Sequence, residues 1–377
     1  HWMVHSFPTR RSSDLLGYRN RIRLHAEATG RLGLLRRGSQ VVVPIDACPQ
    51  MPPEFNATIL PWVRTLPPVE QVIVRLDGAG GFLVSLFGLP NRLRVLQQEL
   101  RKLDPGQPPL PGCAGILYNN LPAWGRDHLL LKVAGHTFRV GANAFFQSNL
   151  AEAEAVVATA RAWLSEARPA GAGAAASAGT AASGLLVDLF AGVGLFGVGL
   201  ADRFARVIAV ESDPHAVRDA RNNAGHVKAL AGRYAALEGD VAKALGDWTL
   251  GRAPRGAGEA QASGRRGRAS AGEGSPAGSA PSTGAPAAAG SLVPSPEEWR
   301  EACVVVDPPR VGLGEAITAN LEKLAPHDVL YLSCDPATLA RDAAALTRAG
   351  YELRRLRVFD MFPQTGHVEA LAHLQRS

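Results

Sequence analysis

VDLFAGVGLFG, residues 187–197, contains the turn from which the architecture of this 377-residue chain can be worked out. Its first apolar residues predict a short buried strand, and Gly192 and Gly194 predict a tight turn into a helix. The next predicted strand, RVIAVE (206–211), ends at Glu211, whose carboxylate is placed to accept hydrogen bonds from a ribose diol. The pattern therefore indicates a nucleotide site at the carboxyl edge of a parallel sheet.

The glycine spacing alone leaves the identity of the nucleotide open. Gly197 completes the pattern G-x-G-x-x-G that begins at Gly192. A nicotinamide-dependent oxidoreductase would use the same turn. That class of enzyme stays an alternative until the other strand ends are considered.

Strands and helices alternate from Leu185 to the C-terminus. Strands are predicted for LLVDLF, RVIAVE, AALEGD, ACVVVDPP, DVLYLS, YELRRLRVFDMF and HVEALAHL. This alternation predicts an α/β domain over residues 185–377, built on a doubly wound, mainly parallel sheet. An insert rich in Gly, Ala, Ser, Pro and Arg interrupts it at about residues 251–296, and its composition predicts disorder.

The chain before residue 185 has a different pattern, with short β-like runs followed by one amphipathic helix. Four segments are predicted there: a non-native leader over residues 1–17, a smaller β-rich domain over 18–140, a connecting helix over 141–167 and a flexible linker over 168–184. The native chain is accordingly expected to begin inside a domain.

The composition narrows the class of protein. Lys and Arg number 40 against 34 Asp and Glu, which gives a formal charge of +6 and a mildly basic chain compatible with a nucleic-acid partner. No run of 18 apolar residues is present, so no membrane partner is expected. The cysteines are too widely spaced to suggest a disulfide framework, and we expect a cytoplasmic protein in which Cys113 and Cys303 are structural.

Cys334 stands in YLSCDPATLARD (331–342), directly after the predicted strand DVLYLS. Asp335 is a good N-cap and Pro336 a favoured first residue for a helix that ends near Gly350. Cys334 is therefore predicted at the ligand-binding edge of the sheet, beside a helix N-terminus that favours a thiolate. Two interpretations stay open: a nucleophile, and a small buried apolar side chain.

Two carboxylates and an arginine are predicted at the same edge. VVVDPPR (304–310) ends a strand at Asp307 in a rigid turn, and Arg310 can hold an anionic or carbonyl group. Glu369, in GHVEALAHL, is a carboxylate inside an apolar strand. Burying a carboxylate costs free energy, so the residue is expected either to have a partner or to take part in function. Hydride transfer has no evident use for this set with Cys334, whereas methylation of a nucleobase at carbon does. A structural turn at Asp307 and a solvent-facing strand at Glu369 are the alternatives.

Six segments together resemble the S-adenosylmethionine-dependent RNA 5-methyluridine methyltransferases, which methylate a uracil in 23S ribosomal RNA or in the tRNA T-loop. The segments are FFQSN, DLFAGVGLFG, AVESD, VVVDPPR, YLSCDPATLARD and DMFPQTGHVEALAHL. The similarity runs from about Tyr18 to the C-terminus, interrupted by the low-complexity inserts. The resemblance implies a Rossmann-like class I methyltransferase fold, an RNA partner and no DNA partner.

The resemblance also implies roles for individual residues. Cys334 would attack carbon 6 of the uracil, carbon 5 would take the methyl group, and Glu369 would remove the carbon 5 proton. The implied cofactor contacts are Gln147, Phe190, Gly192, Gly194, Glu211, Asp240 and Asp307. Asp307 and Arg310 would lie beside the base, which has to leave its stack to reach the cysteine.

Some positions depart from the family pattern. Leu195 stands where some members have a polar cofactor contact, and Asp335 replaces an asparagine while keeping the helix cap. Cys48, in DACPQMPP, matches the last of four cysteines that hold a [4Fe–4S] cluster in the ribosomal-RNA type. The other three would lie upstream, so the cluster is implied for a complete protein and is not expected in this N-terminally truncated fragment.

The sequence favours one RNA target over another. Ribosomal RNA is preferred to tRNA because of Cys48 and of the segment ATLARD. A tRNA T-loop uridine stays the alternative target. A non-catalytic RNA-binding fragment is the alternative from another class of protein.

Overall fold

The computed structural model describes residues 15–100, 107–167, 184–254 and 292–377, which form two compact units. The first unit runs up to Ala167 and takes in two later segments, Cys334–Pro336 and Arg357–Leu371. The second unit holds the rest of the described chain from residue 184 onwards. Residues 1–14 of the predicted leader, 168–183 of the predicted linker and 255–291 of the predicted insert lie outside the described residues.

A mostly antiparallel sheet organises the first unit, in the order β3–β2–β1–β4–β5–β6–β7. Its strands are β1 (Arg21–Ala26), β2 (Leu32–Leu35), β3 (Val42–Pro44), β4 (Gln71–Leu76), β5 (Phe82–Phe87), β6 (Cys113–Tyr118) and β7 (Leu121–Gly125). In the described chain, β5 and β6 are the one parallel pair of this sheet. Ile22 and Leu24 of β1 enter the core while Arg23 between them is exposed, which is the alternation expected of a half-buried strand.

Three helices and a separate hairpin complete the first unit. The helices are α1 (Leu60–Val63), preceded by a π-helical turn at Phe55–Ile59, α2 (Arg92–Leu100) and α3 (Leu150–Ala167). The hairpin consists of β8 (His128–Val133) and β9 (His136–Gly141), and it turns through Ala134 and Gly135, both with positive φ. Of the segment 141–167, predicted as a connecting helix, Leu150–Ala167 is helical and the residues before Leu150 are not.

The second unit contains the predicted doubly wound sheet, in the order β12–β11–β10–β13–β14–β16–β15. Its strands are β10 (Leu185–Leu189), β11 (Arg206–Glu211), β12 (Tyr234–Glu238), β13 (Cys303–Val306), β14 (Asp328–Ser333), β15 (Tyr351–Phe359) and β16 (Glu369–Arg376). The first five run parallel to one another, and β10, β13 and β14 are buried along their whole length, as expected when helices cover both faces of a sheet.

Helices follow the strands of the second unit in the predicted alternation. They are α4 (Leu195–Gly199), α5 (Pro214–Gly225), α6 (Val241–Thr249), α7 (Pro296–Glu301), α8 (Gly314–Leu324) and α9 (Pro336–Arg348). The helix α4 is short: it ends at Gly199, and a 3₁₀ turn over Ala201–Arg203 follows. Sequence reasoning missed α7, although Ser295 and Glu298 form a reciprocal capping box at its start.

The strand β16 lies between β14 and β15 and runs in the direction opposite to both. The N–H of Arg376, at the end of β16, donates to the carbonyl of His327, which precedes β14, at 2.9 Å. The N–H of Ser377 donates to the carbonyl of Gly350, which precedes β15, at 3.2 Å. The end of β16 therefore meets the beginnings of β14 and β15, and β16 is antiparallel to both.

We predict that Leu164→Ala lowers the free energy of unfolding by about 2–4 kcal/mol. Leu164 is completely buried on α3, and its truncation leaves a cavity in the first unit. Urea unfolding followed by circular dichroism measures the change. Glu154→Ala, at an exposed position of the same helix, is the control and should stay within about 0.5 kcal/mol of the parent. Equal losses in the two variants would contradict this account of the core.

Candidate active site

A glycine-rich turn follows β10 at the carboxyl edge of the second sheet. Three of its residues, Phe190, Gly192 and Gly194, have positive φ angles of 59°, 54° and 89°. A Cβ added at Gly194 would lie 2.8 Å from the Tyr234 hydroxyl oxygen, so both space and backbone conformation demand glycine there. The turn keeps the backbone tight against the sheet and opens α4 at Leu195, as the sequence predicted.

Glu211 holds this turn in place. Its Oε2 accepts a hydrogen bond from the Gly192 N–H at 2.9 Å, and its Oε1 accepts from the N–H groups of Ser212 at 2.7 Å and Asp213 at 2.9 Å. Each carboxylate oxygen has two lone pairs, so these bonds leave acceptor capacity for a ribose diol. The structure therefore brings together Gly192 and Glu211, two residues that the sequence singled out 19 positions apart.

Asp188 is a second carboxylate under the turn, and sequence reasoning missed it. It is buried inside β10, and its Oδ2 accepts a hydrogen bond from the Gly197 N–H at 2.7 Å. Burial, with smaller contributions from the charges of Asp307 and Glu211, raises the pKa of Asp188 to about 7 against the lowering effect of that N–H. The sequence did contain a sign of this residue, because Asp188 is a charged residue inside the apolar run LLVDLF.

Tyr234 packs against the other side of the turn. Its hydroxyl is buried beside Gly194 and Gly197, and it has no hydrogen-bond partner among the described residues. Burial raises the pKa of Tyr234, and the nearby Asp188 adds to the shift. No sequence signal marked this tyrosine, because its role follows from the pairing of β12 with β11.

Asp240 and Asp307 lie after the neighbouring strands of the same edge. Asp240 caps α6 by accepting the Lys243 N–H at 2.9 Å, and its side chain is exposed. Asp307 is half-buried directly after β13, and its N–H reaches the carbonyl of Leu189 in β10 at 3.4 Å. Both predicted cofactor contacts thus occupy the edge at which β10 and β11 end.

The loop that carries Arg310 is held by Asp342 from the segment ATLARD. Asp342 is buried, and its Oδ2 accepts from the Leu313 N–H at 2.7 Å and from the Tyr331 hydroxyl at 2.9 Å. Arg341 donates to the Val311 carbonyl at 2.8 Å. Arg310 itself is exposed. In the sequence, Asp342 counted only as part of the family segment ATLARD. In the structure, its carboxylate fixes the loop that follows Asp-Pro-Pro-Arg.

Cys334 and Glu369 both belong to the first unit, and the strand register relates them to each other. The Gln375 amide donates to the Asp328 carboxylate at 3.3 Å, and the same register joins Arg376 to His327. Extended along the antiparallel strands to one residue beyond Ser333, the end of β14, this register aligns Glu369 with Cys334, on the sheet face that carries Asp328 and Gln375. Opposite residues of antiparallel strands have Cβ atoms about 4.5–5.5 Å apart.

The two side chains differ in exposure. Cys334 is half-buried between β14 and Pro336, the first residue of α9, as the sequence predicted. Glu369 is 4% exposed at the first position of β16. The expected alternative for Glu369, a solvent-facing strand, is therefore wrong, because the residue starts a strand that lies between β14 and β15.

Gln147 lies in the first unit, in the segment between β9 and α3. It is buried, and so is Phe146, whose ring centroid lies 5.7 Å from that of Phe138. Phe145 between β9 and Gln147 is 61% exposed.

The remaining cysteines are buried. Cys48 exchanges two backbone hydrogen bonds with the Asn56 side chain, and burial raises the pKa of the Cys113 thiol to about 12. Cys303 lies in the core of the second sheet. Among the described residues, no group of three or more His, Cys, Asp or Glu side chains is arranged to hold a metal ion. Nor is any helix of the described chain long and apolar enough to cross a membrane.

Comparisons with known proteins agree with this geometry. A family model described as tRNA (Uracil-5-)-methyltransferase matches residues 296–377. The 23S rRNA (uracil(1939)-C(5))-methyltransferase RlmD of Chromohalobacter salexigens is 28% identical over 385 residues, which cover 96% of this chain and 65% of that protein. The 23S rRNA (uracil(747)-C(5))-methyltransferase RlmC of Vibrio cholerae is 32% identical over 233 residues, 62% of this chain and 44% of that protein.

A solved structure shares the fold. The Pyrococcus abyssi tRNA (uracil-54, C5)-methyltransferase in complex with S-adenosyl-L-homocysteine superposes with a TM-score of 0.57. The two sequences are 19% identical, and the match covers 96% of this chain and 76% of that one.

We predict that the free energy of unfolding decreases as the pH rises from about 4 to about 7, because of Asp188. Its pKa is raised in the folded chain to about 7, so the folded state keeps a proton that the unfolded state loses above its ordinary value of 3.8. A shift of that size is worth up to about 4 kcal/mol. Asp188→Asn should remove this part of the pH dependence.

Urea unfolding at several pH values between 4 and 8 measures the effect. Glu238→Gln, an exposed carboxylate on β12, serves as the control and should leave the pH profile unchanged. If the free energy of unfolding changed with pH in the same way in Asp188→Asn and in the parent, that result would contradict the raised pKa.

Proposed function

Since the chain belongs to the family of S-adenosylmethionine-dependent RNA uracil-C5 methyltransferases, we propose that it methylates a uridine of 23S ribosomal RNA through a covalent bond between Cys334 and the uracil. The enzyme transfers a methyl group from S-adenosylmethionine to carbon 5 of uridine in RNA. The alternative of a nicotinamide-dependent oxidoreductase is excluded by this membership. The proposal concerns the target, the chemical route and the residues.

One observation carries the chemical route. The register of β16 on β14 places Glu369 opposite Cys334 on one sheet face, so a nucleophile and a carboxylate converge on a single small region. Addition at carbon 6 and proton removal at the adjacent carbon 5 need such a pair. A buried carboxylate at this place is hard to explain by stability alone.

The reaction begins with the Cys334 thiolate, which attacks carbon 6 of the uracil. The carbon–sulfur bond forms as the electron pair of the 5,6 double bond moves to carbon 5, which makes carbon 5 a nucleophile. S-adenosylmethionine, when bound, supplies the methyl group that carbon 5 takes. The target base has to be turned out of its stack to reach the thiolate.

Glu369 completes the cycle as a general base. Its carboxylate removes the proton from carbon 5, and the electron pair of that bond restores the 5,6 double bond. The bond between sulfur and carbon 6 then breaks, and Cys334 leaves as a thiolate. Arg310 is proposed to hold a carbonyl or phosphate oxygen of the substrate, since its loop is fixed by Asp342.

The residues of the second unit fit S-adenosylmethionine. Gly192 and Gly194 let the backbone approach a ligand, and Glu211 keeps acceptor capacity for ribose hydroxyls. Asp240 and Asp307 lie at the same sheet edge. There their carboxylates can accept hydrogen bonds from the adenine base or the amino group of the cofactor. We propose these residues with Phe190 and Gln147 as the cofactor contacts.

The choice of ribosomal RNA rests on the relatives. RlmD, which matches 96% of this chain, is a 23S rRNA methyltransferase. The tRNA T-loop stays the second candidate, because the family model that matches residues 296–377 is described by tRNA. In either case the RNA encounters the protein in the cytoplasm, which we propose as its location.

An iron–sulfur cluster has no part in the proposed mechanism. A [4Fe–4S] cluster needs four ligands, and Cys48 is a single buried thiol whose backbone is tied to Asn56. The described residues around it do not fit the cluster, and we derive no step through one.

We predict that the protein forms a covalent adduct with RNA that contains 5-fluorouridine, in the presence of S-adenosylmethionine. Fluorine at carbon 5 cannot leave as a proton, so the reaction stops with carbon 6 bound to Cys334. Mass spectrometry under denaturing conditions detects the adduct on 23S rRNA and tRNA transcripts. We expect it on the ribosomal transcript.

Cys334→Ala should abolish the adduct, whereas Cys113→Ala, which removes a buried thiol elsewhere, should retain it. An adduct on tRNA alone would overturn the proposed target. An adduct that survives Cys334→Ala would overturn the proposed nucleophile.

We also predict that Glu369→Gln accumulates an adduct on ordinary uridine RNA. The variant can still add Cys334 and methylate carbon 5, but the carbon 5 proton stays and the carbon–sulfur bond cannot break. The expected species has the mass of protein plus RNA plus one methyl group. Glu322→Gln, at an exposed position of α8, is the matched control and should turn over like the parent. Normal turnover by Glu369→Gln would show that another group is the base.

A further inference from the structure

Two arginines of the first unit lie directly opposite each other on neighbouring strands. Arg21 of β1 pairs with Arg75 of β4 in the antiparallel register. Ile22 and Leu24, the alternate residues of β1, enter the core, so Arg21 lies on the opposite face of the sheet. We call these two residues the arginine pair.

Arg75 is among the most deeply buried residues of the chain, at 1% exposure. Its Nη2 donates to the Ala144 carbonyl at 2.5 Å, which fixes the guanidinium. Its Nε and Nη1 have no hydrogen-bond partner among the described residues, and neither has the Nε of the half-buried Arg21. The arginine pair therefore presents several directed N–H groups without an acceptor in the described chain.

The described chain supplies no counter-charge for this pair. Asp77 follows β4 directly, but its Oδ1 accepts from the N–H groups of Ala79 and Gly81 in the turn before β5. Burial, with a smaller contribution from the charge of Arg21, lowers the pKa of Arg75 to about 9. Like charges directly opposite in a sheet and buried unpaired charges are both unfavourable. Such a pair becomes favourable when an anion binds between the two side chains.

Further cations extend this face of β1. By strand alternation Arg23 lies on the same side of β1 as Arg21, and Arg23 is exposed. The Arg19 guanidinium lies 5.3 Å from the centroid of the Phe362 ring. The face thus carries a row of positive charge that ends at the buried Arg75, which is a pattern suited to a polyanion.

We propose that the arginine pair binds a phosphate of the RNA backbone. The inference rests on the proposed function, which makes RNA the substrate. A guanidinium donates N–H groups to phosphate oxygens, and the Nε and Nη1 of Arg75 have no partner among the described residues. Arg21 is the less buried member and forms the entry side of the site. A phosphate held there would fix the position of the RNA without reading its sequence.

Salt-dependent RNA binding tests the proposal. The probe is a short fluorescein-labelled RNA hairpin with a uridine-rich loop, and its dissociation constant is measured by anisotropy at several KCl concentrations. Arg21→Gln and Arg75→Gln should each weaken binding about fivefold and lower the slope of log affinity against log salt by about 0.7–0.9. Arg37→Gln, at an exposed position outside the pair, is the control and should bind like the parent.

The adduct with 5-fluorouridine RNA is measured on the parent protein in parallel. Unchanged affinity and slope in both pair variants, with an adduct formed by the parent, would overturn the phosphate site and leave the methyltransferase mechanism standing. Reduced slopes without an adduct would support the site and contradict the mechanism. Failure of the parent to bind the hairpin would overturn both. Thermal melting checks that each variant is folded, and Arg21→Gln decides alone if Arg75→Gln unfolds.

Discussion

The antiparallel pairing of β16 with β14 is the constraint on which the candidate active site depends. The other neighbour of β14 in the sheet, β13, is parallel to it. The strand β16 lies between β14 and β15 and runs in the opposite direction. The buried Asp328 helps fix the register by accepting from His373 at 2.8 Å and from Gln375 at 3.3 Å. A shift by one residue would turn Glu369 to the other sheet face and remove it from Cys334.

The same sheet also organises the proposed cofactor site by a simpler rule. Parallel strands end at one edge, so the residues after β10, β11, β12 and β13 meet there without any further device. What the rule does not provide is a rigid turn, and Glu211 supplies it by bonding to the Gly192 N–H. Asp188 supports the turn from below through Gly197. The carboxylates beneath and beside the turn thus hold its backbone in place.

Much of this arrangement could be predicted from the sequence because it is local. Apolar runs marked the parallel strands, and Asp335-Pro336 marked the start of α9. The resemblance to a known family then named Cys334 and Glu369. These features depend on neighbouring residues or on short motifs, and both are visible in one sequence.

The rest depends on contacts between distant segments. The position of β16 between β14 and β15, the fixing of the Arg310 loop by Asp342, and the packing of Tyr234 under Gly194 leave no local signal. The arginine pair is of the same kind, because Arg21 and Arg75 become neighbours only through the register of β1 and β4. The capping box of α7 is a different case, since Ser295 and Glu298 were readable but stood next to a low-complexity tract.

Release of tritium from RNA labelled at carbon 5 of uridine is the measurement that tests the central claim most directly. Methylation at carbon 5 has to displace that hydrogen, and in this account it leaves through Glu369 after Cys334 has added. The parent protein with S-adenosylmethionine should release one tritium for each methyl group transferred, and Cys334→Ala should release none. Methyl transfer without tritium release would mean that another atom of the RNA is methylated, and it would contradict the account.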